Sequence, residues 1–329
     1  MPDPVLLAAL LGGLVLLALG GDLLVRGAVR AARAIGATPL IAGIFIVGFG
    51  TSLPEIFVSV NAAFAGSPGL AIGTIVGSSI ANVFLVLAIP ALLFPVMAGG
   101  PGQGRALFAT LLATALWIGM TSIMPLNPLI GICFLCVLIG YTGLSLFAAR
   151  RDEVAGKPTG IREHEAEGPP LWRAWIYVPV GIIALVIASR LIVTGADGVA
   201  RAVGIPEEYI GLTLLAVGTS LPEIGASLAA AARKRGDVVV GNILGSNIIN
   251  ILGAGGIVAM SGQVEIARLF HTYDHWVMGF ASLVLAVLIV TKAKIGRLMA
   301  VLLLLLYAIY IYGLVNGVSL LGLYEAVTG

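Results

Sequence analysis

Apolar runs of roughly twenty residues alternate along this chain with short clusters of Gly, Pro and charged residues. A membrane-crossing helix needs about 20 mostly apolar residues. On that ruler the pattern predicts ten spans, at 4–25, 37–65, 69–93, 105–124, 127–149, 173–193, 205–232, 237–260, 274–291 and 297–316. The second and seventh are long and interrupted by Pro54 and Pro222. Unbroken apolar runs such as 283–290 and 301–306 differ from the short alternating segments of a β-barrel. The predicted fold class is an all-α integral membrane protein. Residues 1–21 contain no Lys or Arg and no small-residue cleavage site follows them, so the first span is expected to be retained.

Composition agrees with the pattern. Of 329 residues 59% are apolar and only 10% charged, against about 25% charged in soluble domains. A net charge of +2 gives no basic excess for a phosphate backbone, so nucleic acid is excluded as a partner. The charges also orient the helices. One set of connections carries fifteen Lys and Arg, from Arg26, Arg30 and Arg33 to Lys292, Lys294 and Arg297, while the other carries only Arg190, Arg201 and Arg268. Basic loops stay in the cytoplasm. The chain is therefore expected in a cell (inner) membrane, multi-pass, with both termini on the non-cytoplasmic side.

The chain also repeats itself. Gly50-Thr51-Ser52-Leu53-Pro54-Glu55 is identical to Gly218-Thr219-Ser220-Leu221-Pro222-Glu223 at an offset of 168. Without gaps the same offset superposes Gly73, Gly77, Ser78 and Asn82 on Gly241, Gly245, Ser246 and Asn250; 25 of the 69 positions from 19 to 87 match. Each half carries five predicted spans, an odd number, so the second half must insert upside down. The organisation is a first repeat at 1–149, a short cytoplasmic linker at 150–172 and a second repeat at 173–329. Inverted repeats of this kind are the mark of secondary transporters, whose sites lie near the midplane.

The repeated segments carry the chemistry. Glu55 and Glu223 are the two acids deep in predicted spans, and no embedded Lys or Arg stands near either in sequence. A charge at the bilayer centre costs at least about 2.5–3.5 kcal/mol and so faces a cavity or a partner. Two carboxylates without cations call for a bound cation or for protons. The bland alternative is a pair of protonated glutamates bonded across helices. Pro54 lacks an N–H and its ring crowds the carbonyl of Gly50; Pro222 does the same to Gly218. Freed carbonyls then stand beside a carboxylate and the hydroxyls of Thr51 and Ser52, or of Thr219 and Ser220. Such hard oxygens suit calcium, whereas zinc would ask for His or Cys. Ser78 and Ser246 read as further ligands, Asn82 and Asn250 as ligands or interhelix hydrogen bonds, and the four paired glycines as packing contacts.

These paired motifs, Gly-Thr-Ser-Leu-Pro-Glu and Gly-Ser-(Ser/Asn)-Ile-x-Asn, resemble the two α-repeats of the cation/calcium antiporter superfamily, sodium/calcium exchanger branch, prokaryotic type. The resemblance covers essentially the whole chain. It implies ten transmembrane helices in two inverted repeats and four cation sites in a central diamond, with sodium entry driving calcium out. Carried over, Glu55 and Glu223 would bind calcium and share sodium. Thr51, Ser52, Ser78, Thr219, Ser220 and Ser246 would serve sodium, with the carbonyls of Gly48 and Ala216, and Asn82 and Asn250 would complete the ring. It also implies first and sixth spans that slide. Asn250 stands where potassium-dependent relatives carry Asp, which argues against potassium co-transport. The proton/calcium branch shows Gly-Asn-Ala-x-Glu at the motif, so sodium coupling is favoured over a proton/calcium exchanger on the same scaffold. A passive cation channel is disfavoured because the polar residues cluster at one depth. The expectation is a transporter and no enzyme, without a cofactor, whose partners are calcium, sodium and membrane lipid, working as a monomer.

Three weaker features complete the reading. Cys133 and Cys136 are expected as buried small hydrophobes, and His271, Asp274 and His275 as a solvated helix end. Asp22 with Arg26, and Asp197 with Arg201, fit helix-end ion pairs.

Overall fold

The structure, a computed structural model, describes residues 4–154, 170–202, 217–268 and 270–316. Most of the linker expected at 150–172, the first part of the seventh span and Ala216 lie outside the described residues. Among those described, eight helices are long and apolar enough to cross a membrane, and nine if a bent pair counts as one span. Among the described residues the elements are helical apart from one two-residue antiparallel ladder, β1 (Val96–Met97) with β2 (Lys294–Ile295), which joins two connections, and an isolated antiparallel bridge between Leu126 and Val264.

The helices are α1 (Pro4–Ala34), α2 (Pro39–Thr51), α3 (Leu53–Phe64), α4 (Pro68–Leu93), α5 (Gln103–Ile123) and α6 (Pro128–Val154), then α7 (Leu171–Ala202), α8 (Leu221–Ala232), α9 (Gly236–Met260), α10 (Phe270–Val290) and α11 (Arg297–Val315). Their bounds lie within a few residues of the predicted spans, except that α1 and α7 continue well beyond 25 and 193, α6 runs on to Val154, α10 begins at Phe270, and α8 is the described end of the span expected at 205–232. At 1.5 Å per residue the 31 residues of α1 extend about 46 Å, well past a hydrocarbon core of about 30 Å. Nothing breaks the extra turns before Gly36, whose φ of +73° ends the helix region.

α1 and α7 lie against each other along a glycine seam. A Cβ on Gly13 would meet Ile192 at 2.8 Å, on Gly20 Ala184 at 2.9 Å, and on Gly27 Tyr177 at 2.9 Å. From the other side Gly181 abuts Leu24 and Gly195 abuts Leu10. Partner numbers fall along α7 as they rise along α1, so the two helices run antiparallel. The glycines of α1 recur every seven residues, and Gly181 and Gly195 are the repeat equivalents of Gly13 and Gly27. Small residues are what let membrane helices approach this closely.

The most enclosed helices are α4 and α9, whose apolar windows are 83% and 89% buried. α2 packs on α9 through glycines: a Cβ on Gly43 would meet the Val238 carbonyl at 2.7 Å, and one on Gly48 the Ser246 amide at 3.0 Å. Gly241 and Gly245 face back onto Leu40 and Ile44. The expected packing role therefore holds for Gly241 and Gly245. For Gly77 a Cβ would meet nothing within 4 Å among the described residues; the repeat-equivalent packing segment, 211–216, lies outside them.

A candidate cation site at the two helix breaks

Each break forms where its proline dictates. α2 and α3 meet at Ser52 with a 45° bend, and Ser52 leaves the helix with ψ near 0°. Pro54 occupies the first turn of α3, where a missing N–H costs nothing. In the second half Thr219 and Ser220 form the turn, Ser220 has φ −86° and ψ 0°, and Pro222 opens α8. The equivalent acids follow at once. Glu55 and Glu223 stand in the first turns of α3 and α8, each 1% exposed. At a helix N-terminus the dipole favours negative charge.

Hydrogen bonds run across the two halves. Ser52 Oγ donates to Glu223 Oε1 at 3.2 Å, so the hydroxyl beside one acid reaches the other. Ser246 Oγ donates to the Gly48 carbonyl at 3.3 Å. Asn250 Nδ2 donates to Ser78 Oγ at 3.0 Å, and Asn82 Nδ2 to Asn247 Oδ1 at 2.9 Å. The Thr51 hydroxyl lies 3.0 Å from the Val47 carbonyl and 3.3 Å from Asn242 Oδ1. Thr219 is half-buried in its turn.

What is left over marks the candidate site. Glu55 Oε1 and Oε2, Glu223 Oε2, Ser220 Oγ, Asn82 Oδ1 and Asn250 Oδ1 are buried without a hydrogen-bond partner among the described residues. Buried polar atoms are rarely left so, and neither carboxylate has a cationic partner among the described residues. Six oxygens from both halves, two of them from one carboxylate, make a donor set of the kind a hard cation takes. No His or Cys stands among them, which excludes the usual zinc chemistry.

Four residues escaped the sequence reading. Asn242 Nδ2 donates to Ser227 Oγ at 2.9 Å and lies 3.4 Å from the Glu223 carbonyl, tying the back of α8 to α9. Asn247 receives Asn82, and Ser189 of α7 donates to the Gly218 carbonyl at 2.6 Å. That last bond satisfies the very carbonyl that Pro222 frees. Ser227 had a visible signal, since it matches Ser59 at the repeat offset and follows Glu223 by four. Asn242, Asn247 and Ser189 align with Thr74, Ser79 and Gly21 and gave none.

Two weaker expectations are corrected. Cys133 and Cys136 are free and exposed on the outer face of α6 rather than buried, because the inward face of that helix is taken by Ile130 and Phe134. Asp274 and His275 are 2% exposed rather than solvated. Tyr310 donates to Asp274 at 2.8 Å and Trp117 to His275 at 3.3 Å, so neighbouring helices cover this end. The ion pairs hold: Arg26 with Asp22 at 2.9 Å and Arg201 with Asp197 at 3.0 Å. Arg233 also meets Asp22.

The family model described as sodium/calcium exchanger protein matches residues 5–147 and 173–316, nearly all of both halves. The chain belongs to the sodium/calcium exchanger family. Membership makes it a multi-pass membrane transport protein and not an enzyme. Among relatives of this exchanger chain, the putative antiporter CaxA of Alkalimonas amylolytica is 35% identical over 87% of the chain and 90% of its own length. The sodium/calcium exchanger MaX1 of Methanosarcina acetivorans is 28% identical over 92% and 96%. Among solved structures, the sodium-calcium exchanger NCX_Mj soaked with zero sodium and calcium superposes with a TM-score of 0.78 at 31% identity, covering 94% of this chain and 99% of that one.

Proposed function

We propose that this exchanger is a sodium/calcium antiporter that exports calcium in exchange for sodium. Both ions would bind at one mid-membrane site built from both halves and reach either side by alternating access. The supporting observation is a set of six buried oxygens without a hydrogen-bond partner among the described residues, five of them from the equivalent pairs Glu55 and Glu223, and Asn82 and Asn250, and the sixth from Ser220. In this reading Glu55 and Glu223 hold calcium and share sodium. Thr51, Ser52, Ser78, Thr219, Ser220 and Ser246, the Gly48 and Ala216 carbonyls, and Asn82 and Asn250 supply the neutral oxygens. The fold is ten transmembrane helices in two inverted repeats, 1–149 and 173–329, joined by the 150–172 linker. The antiparallel run of the equivalent helices α1 and α7 favours that inversion. The protein would lie in the inner membrane with both termini outside, surrounded by lipid and working as a monomer.

The charges set the energetics. Two carboxylates balance one calcium, and two sodium ions would balance them equally, so an electrogenic cycle needs a third sodium at the hydroxyls. One net charge per cycle couples exchange to voltage by about 2.3 kcal/mol per 100 mV. The test is calcium-45 uptake into proteoliposomes loaded with sodium, potassium or choline, with and without a pH gradient. Uptake from sodium-loaded vesicles alone is the expected result. Uptake driven by the pH gradient alone would move the protein to proton/calcium exchange, and calcium flux without any counter-ion would make it a channel.

A further inference from the structure

A cavity of about 520 Å³ lies away from the helix breaks, between α2, α5 and α6. Its walls are apolar, with Ile41 and Ile44 from α2, Leu112 from α5 and Val137 from α6. Its size falls in the range of small-molecule sites, about 300–1,000 Å³. Phe108 and Leu144, which also line it, are 68% and 72% exposed. On a membrane helix that exposure faces lipid, so the cavity is continuous with the lipid-facing surface and opens sideways into the bilayer.

One end is polar. Arg105 sits in the first turn of α5, just after Gly102, and lines the cavity together with Thr38, Tyr141 and Ser145. Arg105 belongs to the set of connections that carries fifteen of the eighteen basic residues, so in the topology proposed above it would stand at headgroup depth on the cytoplasmic side. An apolar slot open to lipid and ending in a guanidinium has the shape and charge of one ligand class. We infer that this cavity holds an acyl chain of an anionic phospholipid, with the headgroup phosphate on Arg105. Arginine matches phosphate through a planar fork of donors, and basic pockets between membrane helices are known to take acidic headgroups.

The cavity is also the reverse side of the ion site. Tyr141 packs on Phe45, ring centroids 5.8 Å apart, and Phe45 lies in the π-helical stretch Ala42–Gly48 that ends at the Gly48 carbonyl. Ile44, in the cavity wall, backs onto Gly245 of α9. A chain in the slot would brace the distorted part of α2.

Gly140 gives a clean test. It lines the cavity, and a Cβ there would meet nothing within 4 Å. Gly140→Phe therefore fills the slot without a backbone clash, and replacing a mid-helix glycine favours the helix. Purified full-length protein, Gly140→Phe and Arg105→Gln would each be mixed with phosphatidylglycerol or phosphatidylcholine in detergent and examined by native mass spectrometry. Wild type should retain phosphatidylglycerol in preference to phosphatidylcholine. Arg105→Gln should lower that preference about tenfold, the scale of one lost charge-assisted contact, and Gly140→Phe should lower retention of both lipids. Equal retention of the two lipids by wild type would overturn the proposal, as would either variant behaving like wild type. Lipid retention is read without transport, so its failure leaves the antiporter reading untouched.

Discussion

Replacing Glu55 with Gln keeps the shape of the side chain and removes one of two buried charges. Glu55 is the more informative acid because both its oxygens lack protein partners, whereas Ser52 holds one oxygen of Glu223. With a single carboxylate left, a bound calcium would carry one uncompensated charge in a buried setting. Breaking a buried pair costs about 3–5 kcal/mol, which at about 1.4 kcal/mol per decade weakens calcium binding by about 10²–10⁴. The ion-free protein should behave differently. It loses a carboxylate that no protein group balances, so its unfolding midpoint in calcium- and sodium-free detergent should hold or rise. Calcium at a hundred times its dissociation constant should stabilise wild type by about 2.7 kcal/mol and leave the variant unmoved. Initial rates of calcium-45 uptake across a range of calcium, with thermal unfolding in parallel, read both halves of the argument. A KM for calcium within about threefold of wild type, or a calcium-dependent midpoint shift in the variant, would refute it.

Further outcomes follow from single contacts. Ser52→Ala removes the donor to Glu223; a hydrogen bond to a charged group contributes about 1.5–3 kcal/mol, so the KM for both ions should rise about tenfold or more while the fold persists by circular dichroism. Ser189→Ala orphans the Gly218 carbonyl at a cost of about 1–3 kcal/mol, and should lower the unfolding midpoint, with Ser189→Thr restoring part of it. Gly245→Ala drives a Cβ into the backbone of Ile44 and should abolish monodisperse protein on size-exclusion chromatography. Gly119→Ala, whose Cβ meets nothing within 4 Å, should remain indistinguishable from wild type.

The span pattern was legible because hydrophobic length is a local property, and the helix breaks because a proline acts on its own turn. The acids and their hydroxyls were legible for a different reason: duplication marked them twice. Residues that act across helices without a twin stayed hidden. Asn242 and Asn247 do their bonding to Thr51, Ser227 and Asn82 from other helices, and no spacing in α9 announces it. Exposure failed for the same reason. Whether Cys133 meets lipid or Asp274 meets Tyr310 depends on where neighbours fall, and a single helix does not carry that information.

The bond between Asn82 and Asn247 bears on the history of the chain. In the first half the position equivalent to Asn247 is Ser79, and that equivalent to Asn242 is Thr74. Two copies of the first half, fused or paired as a dimer, would present the glutamates and hydroxyls twice over. They would lack the amide that receives Asn82 and the one that joins Thr51 to Ser227. The second half carries the amides to which side chains of the first half bond, so two copies of the first half would not rebuild these contacts.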